Sequence, residues 1–183
     1  MALTTHVALL RAVNVGGRKL VMSELRAMLA DLGHPDARTL LQSGNLVFDA
    51  GARSGAELEA WLEAETLKRF GLAADYLVRT AAEWSRVIAA NPFPAMARND
   101  PSHLVVMPLK SAPAEGALAT LRAAIPGREQ ADLIGRNLYL TYPDGIGDSK
   151  LTNAVIERRL GVRGTARNWN TALKLGEMVG RQH

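Results

Sequence analysis

A chain of 183 residues without one cysteine can hold no disulfide, no thiolate nucleophile and no zinc–thiolate or iron–sulfur site. Its 22 Lys and Arg against 18 Asp and Glu give a formal charge of +4. Residues 1–90 balance ten basic against ten acidic side chains and residues 91–183 hold twelve against eight, so the excess lies in the second half, compatible with a phosphate-bearing partner or with a solubilising balance alone.

The opening run MALTTHVALLRAVNVGG has no basic lead and is interrupted by Arg11, and no stretch nears the ~18 apolar residues of a membrane span. A cytoplasmic protein without membrane contact is expected. The apolar run at about 6–13 reads as a buried strand entering a loop over 14–19. Met22, Leu25, Met28, Leu29 and Leu32 then recur at helical spacing and stop at Gly33, a residue type that commonly ends helices. Residues 37–42 and 45–49 read as two short strands joined through Ser43-Gly44. Ser54 and Glu57 are spaced as a capping box, predicting a helix with Leu58, Trp61, Leu62 and Phe70 inward. The carboxylates Glu57, Glu59, Glu63 and Glu65 read as its solvated face. A strand over 73–79 closes this βαββαβ run.

Thr80 and Glu83 form a second capping-box spacing, opening a short helix with Trp84, Val87 and Ile88 inward. It stops at Asn91-Pro92-Phe93-Pro94, because proline removes a backbone donor and biases its predecessor away from the helical region. The polar stretch on to Ser102 reads as a linker or surface loop. The order then repeats. A strand over 103–107 and a helix over 113–125, with Leu118, Leu121 and Ile125 on one side, precede a hairpin of 129–134 and 137–142 about Gly135-Arg136. A loop over 143–148, a helix over 149–160, a strand near 162–166 and a helix over 168–180 complete the chain.

Two successive βαββαβ runs are the ferredoxin-like, α/β-plait plan in tandem, an α/β class of the α+β kind with antiparallel sheets covered by helices. A single larger α/β sandwich of the same elements is the alternative. The expected units are 1–92 and 93–183, the second with an extra C-terminal helix. Leu9, Leu29, Leu62, Val105, Leu121 and Val155 are expected in the core.

Polar segments at element ends carry the candidate chemistry. Arg11, Asn14, Gly16 and Gly17 follow the first strand, where adjacent glycines permit close ligand approach, or simply a tight turn before the helix. Neither the P-loop nor the dinucleotide glycine pattern is present. Gln42-Ser43-Gly44-Asn45 can present amides and a hydroxyl, or serve as a hairpin turn. Ser149 and Lys150 are placed to open a helix, whose N-terminus attracts anions, with Asp148 or Ser149 as an ordinary cap the alternative. Arg167, Asn168, Trp169 and Asn170 crowd a second helix start, where Arg167 could meet an anion beside the helix dipole. Asn168 could instead cap that helix, and Trp169 reads as core or as a stacking ring. His6, His34, His103 and His183 show no metal-ligand spacing, and no local nucleophile signature is present. At 5% aromatics, no base-stacking platform is evident on the strands.

Together these segments resemble the DUF1697 family of small bacterial proteins of unknown function. The resemblance lies in LLRAVNVGG at 9–17, LRAMLADLG at 25–33, LQSGNLVF at 41–48, RTAAEW at 79–84, NPFP at 91–94, DSKL at 148–151 and TARNWNT at 165–171. It implies a two-part α/β architecture with ferredoxin-like halves and makes the polar residues above, with Asn91, signature positions; it supplies no activity and no cofactor. The resulting expectation is a small anionic or nucleotide-like ligand held without metal or cofactor. A nucleic acid on the basic C-terminal third, a metal-independent enzyme of unrecognised type and a protein-interaction module are the alternatives. Nothing in the sequence specifies oligomeric state.

Overall fold

A computed structural model describes residues 4–12 and 20–180. Among them the chain forms two four-stranded antiparallel sheets with helices, a mixed α/β architecture in two compact units. Where the sequence suggests contiguous units of 1–92 and 93–183, the first unit takes the described residues up to Arg86 and again from Leu175 on, and the second is Val87–Lys174.

In the first unit the strand order is β2-β3-β1-β4, for β1 (Thr5–Ala12), β2 (Arg38–Leu40), β3 (Asn45–Asp49) and β4 (Ala74–Thr80). Central β1 reads as an unbroken apolar run because successive side chains point to opposite faces and Val7, Ala8, Leu9 and Leu10 are all buried. Helices α1 (Met22–Asp31) and α2 (Gly55–Phe70) cover one face, where Leu25, Leu29, Leu58 and Leu62 meet Ala8, Leu10, Leu46, Phe48 and Tyr76. Ser54 is the N-cap of α2, but its side chain makes no capping bond, so the expected box does not close there.

The solvated face expected of α2 is half wrong. Glu59 is buried, and its Oε1 accepts the Val78 N–H at 2.9 Å; Glu63 accepts the Tyr76 N–H at 3.0 Å. Strand β4 lies at the sheet edge, and its outward N–H groups need acceptors that water would otherwise supply. Two carboxylates one helical turn apart provide them. Beside them, the Thr66 hydroxyl meets the Tyr76 hydroxyl at 2.7 Å, and burial pushes that phenol's pKa up to about 12.

Helix α3 (Ala81–Ala89) follows β4 with no intervening residue. The Thr80–Glu83 box closes as the spacing predicts: Glu83 accepts the Thr80 N–H at 2.8 Å, and Thr80 Oγ1 accepts the Glu83 N–H at 3.1 Å. Beyond the Asn91–Pro92 break, residues 94–102 are not a loop. They form α4 (Pro94–Asn99) and a 3-10 turn over Pro101–His103. Pro94 is at the start of α4, where a missing N–H costs no bond, so a proline of the segment that follows α3 opens the next helix.

In the second unit the order is β6-β7-β5-β8, for β5 (Leu104–Pro108), β6 (Gln130–Ile134), β7 (Asn137–Thr141) and β8 (Arg167–Asn168). The β6–β7 hairpin turns at Gly135-Arg136 as expected. Helices α5 (Ala117–Ala123) and α6 (Asn153–Leu160) place Leu121, Ile156 and Leu160 against Val105, Met107, Leu138 and Leu140. The last helix is α7 (Trp169–Gly180). Of the expected core residues, Leu9, Leu29, Leu62, Val105 and Leu121 are buried, and Val155 is half-buried against the second core.

Candidate functional site

The end of β1 gathers several candidates. Arg11 is paired across the sheet with Asp75 of β4, and its Nη1 donates to Asp75 Oδ2 at 3.2 Å. The Arg11 side chain is 28% exposed and that of Asp75 11%, so the pair stands at the rim with its anionic member the deeper. The β2–β3 turn is tied to the same strand end, because the Leu10 N–H donates to the Gly44 carbonyl at 2.7 Å. Gly44 lies at φ +79°, and a Cβ there would stand 2.6 Å from Leu10 Cβ. Only glycine gives this turn its approach to β1.

Within that turn Asn45 is fully buried, and its amide donates to the Leu40 carbonyl at 2.8 Å and to Ser43 Oγ at 2.9 Å. Asn45 therefore shapes the turn. Gln42 and Ser43 are exposed, and Leu41 is the described non-glycine residue with positive φ, at +59°. Arg11, Gln42, Ser43 and Asn45 thus share one end of the first sheet. Asn14, Gly16 and Gly17 lie outside the described residues.

The remaining candidates belong to the second unit. Helix α6 starts later than the sequence suggests: its cap is Thr152, whose Oγ1 accepts the Val155 N–H at 3.3 Å. Ser149 and Lys150 therefore open no helix and have no dipole to offer an anion. Ser149 Oγ instead accepts the Leu151 N–H at 3.1 Å and donates to the Glu129 carboxylate, while Lys150 is exposed.

Asn168 takes the capping role that was the alternative to an anion site. Its Oδ1 accepts the Asn170 N–H at 2.9 Å, and its amide donates to the Ser102 carbonyl at 2.7 Å. Arg167 is buried in β8 opposite Val106, and its Nη1 donates to Thr165 Oγ1 at 2.7 Å and to the Ala166 carbonyl at 2.9 Å. Desolvation pushes its pKa down to about 10, which still leaves it charged at neutral pH. Trp169 is 3% exposed, with its ring 6.5 Å from that of Tyr139, so it is core and no stacking surface. Asn170 is exposed.

The second unit also holds a cavity of about 430 Å³, lined by Phe93, Arg122, Ile125, Glu129, Gln130 and Asp132 among others. None of the sequence-derived candidates lines it. Ser149 reaches its wall only through Glu129. Asp75 and Glu129 are the polar residues that sequence reading missed. Asp75 was within reach of it, since pairing the first strand antiparallel to the 73–79 strand sets an acid opposite Arg11. Glu129 precedes a hairpin with no spacing or motif to mark it. Among the described residues no group of three His, Asp or Glu side chains is placed to hold a metal ion, and no helix is long and apolar enough to cross a membrane.

The whole chain has the fold of a solved conserved bacterial protein from Streptococcus pneumoniae. The TM-score is 0.74 at 21% identity, over 97% of this chain and 99% of that one. No curated protein matches the sequence. The DUF1697 family, described as protein of unknown function, matches residues 3–139, a stretch that includes the Arg11–Gly17 loop, the 41–48 turn and strand, and NPFP at 91–94. With three quarters of its length inside that match, the chain belongs to the DUF1697 family.

Proposed function

We propose that the protein binds a small anionic or nucleotide-like molecule at the end of the first sheet, where Arg11, the Gln42–Ser43 turn and the strand leading into residues 13–19 meet. The observation that carries this reading is the Leu10–Gly44 hydrogen bond. It brings two polar signature segments, thirty residues apart in sequence, to one strand end. Arg11 supplies a fork of N–H donors at the rim, and Asp75 beneath it fixes the guanidinium. Asp75 also subtracts from the positive potential, so binding of an anion is tuned by that carboxylate.

The reading rests on a scaffold of two ferredoxin-like units in a cytoplasmic protein. Support for the tandem plan comes from matched details. Both sheets run second, third, first, fourth strand. In each, the last strand carries a buried arginine, Arg79 or Arg167, opposite a central valine, Val7 or Val106. Each guanidinium donates to the carbonyl of the preceding residue, at 2.8 and 2.9 Å. The next residue, Thr80 or Asn168, ends the strand and caps the following helix.

The test is thermal unfolding of wild type, Arg11→Ala and Asp75→Asn in inorganic phosphate, adenosine monophosphate and a single-stranded oligonucleotide. A ligand that prefers the native state raises the midpoint. Phosphate or the nucleotide should raise that of wild type, raise that of Asp75→Asn more, and leave that of Arg11→Ala unmoved. Equal shifts in all three proteins would dismiss the site. A steeply salt-dependent shift with the oligonucleotide alone would transfer the assignment to nucleic acid.

A further inference from the structure

The cavity of the second unit has a charge imbalance that the proposed anion site does not use. Arg122 Nη2 donates to Asp132 at 3.2 Å and its Nε to the Ala131 carbonyl at 2.9 Å, so this guanidinium and this carboxylate neutralise one another on the wall. The neighbouring Arg128 is paired likewise with Asp144. Among the described residues Glu129 meets a hydroxyl and no cation. Its Oε1 accepts from Ser149, which the Leu151 N–H holds in place, and its Oε2 is buried without a hydrogen-bond partner. Oε2 lies against Gly127, where a Cβ would stand 2.6 Å from it, so the missing side chain leaves the carboxylate its room.

We propose that this cavity is a binding site for a small organic cation, a primary ammonium carried on an apolar group. A buried acceptor without a donor is costly, and a ligand N–H that supplies the bond recovers that penalty. Gly127 and Glu129 both line the cavity, so the bare Oε2 stands at its wall while Oε1 stays with Ser149. Serine has taken the other oxygen, which leaves one acceptor. That suits the point charge of an ammonium and not the bidentate fork of a guanidinium. A metal ion would need further ligands, and no suitable group of three stands among the described residues. Phe93 and Ile125 on the wall receive the hydrocarbon part.

The probe is benzylammonium, titrated calorimetrically into the full chain beside benzyl alcohol and benzoate, which share its ring and lack its charge. Benzylammonium should bind saturably and the other two should not. Glu129→Gln, which keeps the shape and removes the charge, should weaken binding at least tenfold, about 1.4 kcal/mol. Should that variant fail to fold, the wild-type comparison of amine, alcohol and acid decides by itself. Binding of the alcohol or the acid as strongly as the amine, absence of saturable amine binding, or an unchanged affinity in folded Glu129→Gln would overturn the assignment.

Discussion

Replacing Gly44 by alanine tests the geometry on which the proposed site depends. Two costs arise from separate features. An L-residue at φ +79° meets its own carbonyl, which costs about 1–2 kcal/mol in the left-handed region. The new methyl would also stand 2.6 Å from Leu10 Cβ and 3.2 Å from its Cδ2. Leu10 is 4% exposed on the central strand, and a Cβ does not move by changing rotamer, so the backbone of β1 must shift. Such overpacking costs about 1–3 kcal/mol. The sum is about 2–5 kcal/mol, or roughly 5–15 °C in Tm for a chain of this size. Gly33 is the control, since it has φ +94° and nothing within 4 Å of an added Cβ. Gly33→Ala should show the conformational cost alone. Urea unfolding of both variants, with m unchanged, gives the difference from the midpoints. If Gly44→Ala costs no more than Gly33→Ala, the close approach of turn and strand is refuted.

Burial holds the His6 imidazole below its ordinary pKa, against the opposing pull of Asp49 and Glu83. The unfolded chain then binds the proton first, so the stability from neutral His6 is complete above about pH 6.5 and is lost as pH falls from there through the folded pKa. Wild type should therefore destabilise more steeply than His6→Phe on acidification below about pH 6.5, and parallel curves would contradict the assignment. Glu59→Ala leaves the buried Val78 N–H without its acceptor and should cost about 1–3 kcal/mol, whereas Glu59→Gln keeps an acceptor and should cost less; chemical denaturation compares them. Asn168→Ala removes the α7 cap and should cost about 1 kcal/mol, measured the same way, with no effect on anion binding.

Much of the element order was legible because local chemistry agrees with it. Gly33, Gly71 and Gly161 each follow a helix with positive φ, Gly135 turns the predicted hairpin, and Thr80 with Glu83 closes its box. Two of the misreadings share a cause, which is a polar side chain answering a group distant in sequence. Glu59 and Glu63 look like surface charge until β4 is known to be an edge strand beside them. Ser149 looks like a helix cap until Glu129 is seen beside it and Thr152 takes the cap. The 94–102 stretch was hidden by its prolines, which read as breakers and also suit the first position of a helix. At the candidate site, the tie between Leu10 and Gly44 follows from strand pairing, and neither segment announces the other in sequence.

The most direct test of the central claim is backbone amide chemical-shift mapping during titration with adenosine monophosphate and, separately, inorganic phosphate. Saturable shifts should concentrate at Leu10–Ala12 and Leu41–Asn45, the residues that the Leu10–Gly44 bond gathers at the end of β1. They should be lost in Arg11→Ala. Shifts confined to Arg167–Asn170, or no saturable shift with either anion, would contradict the assignment of the ligand site to the first unit.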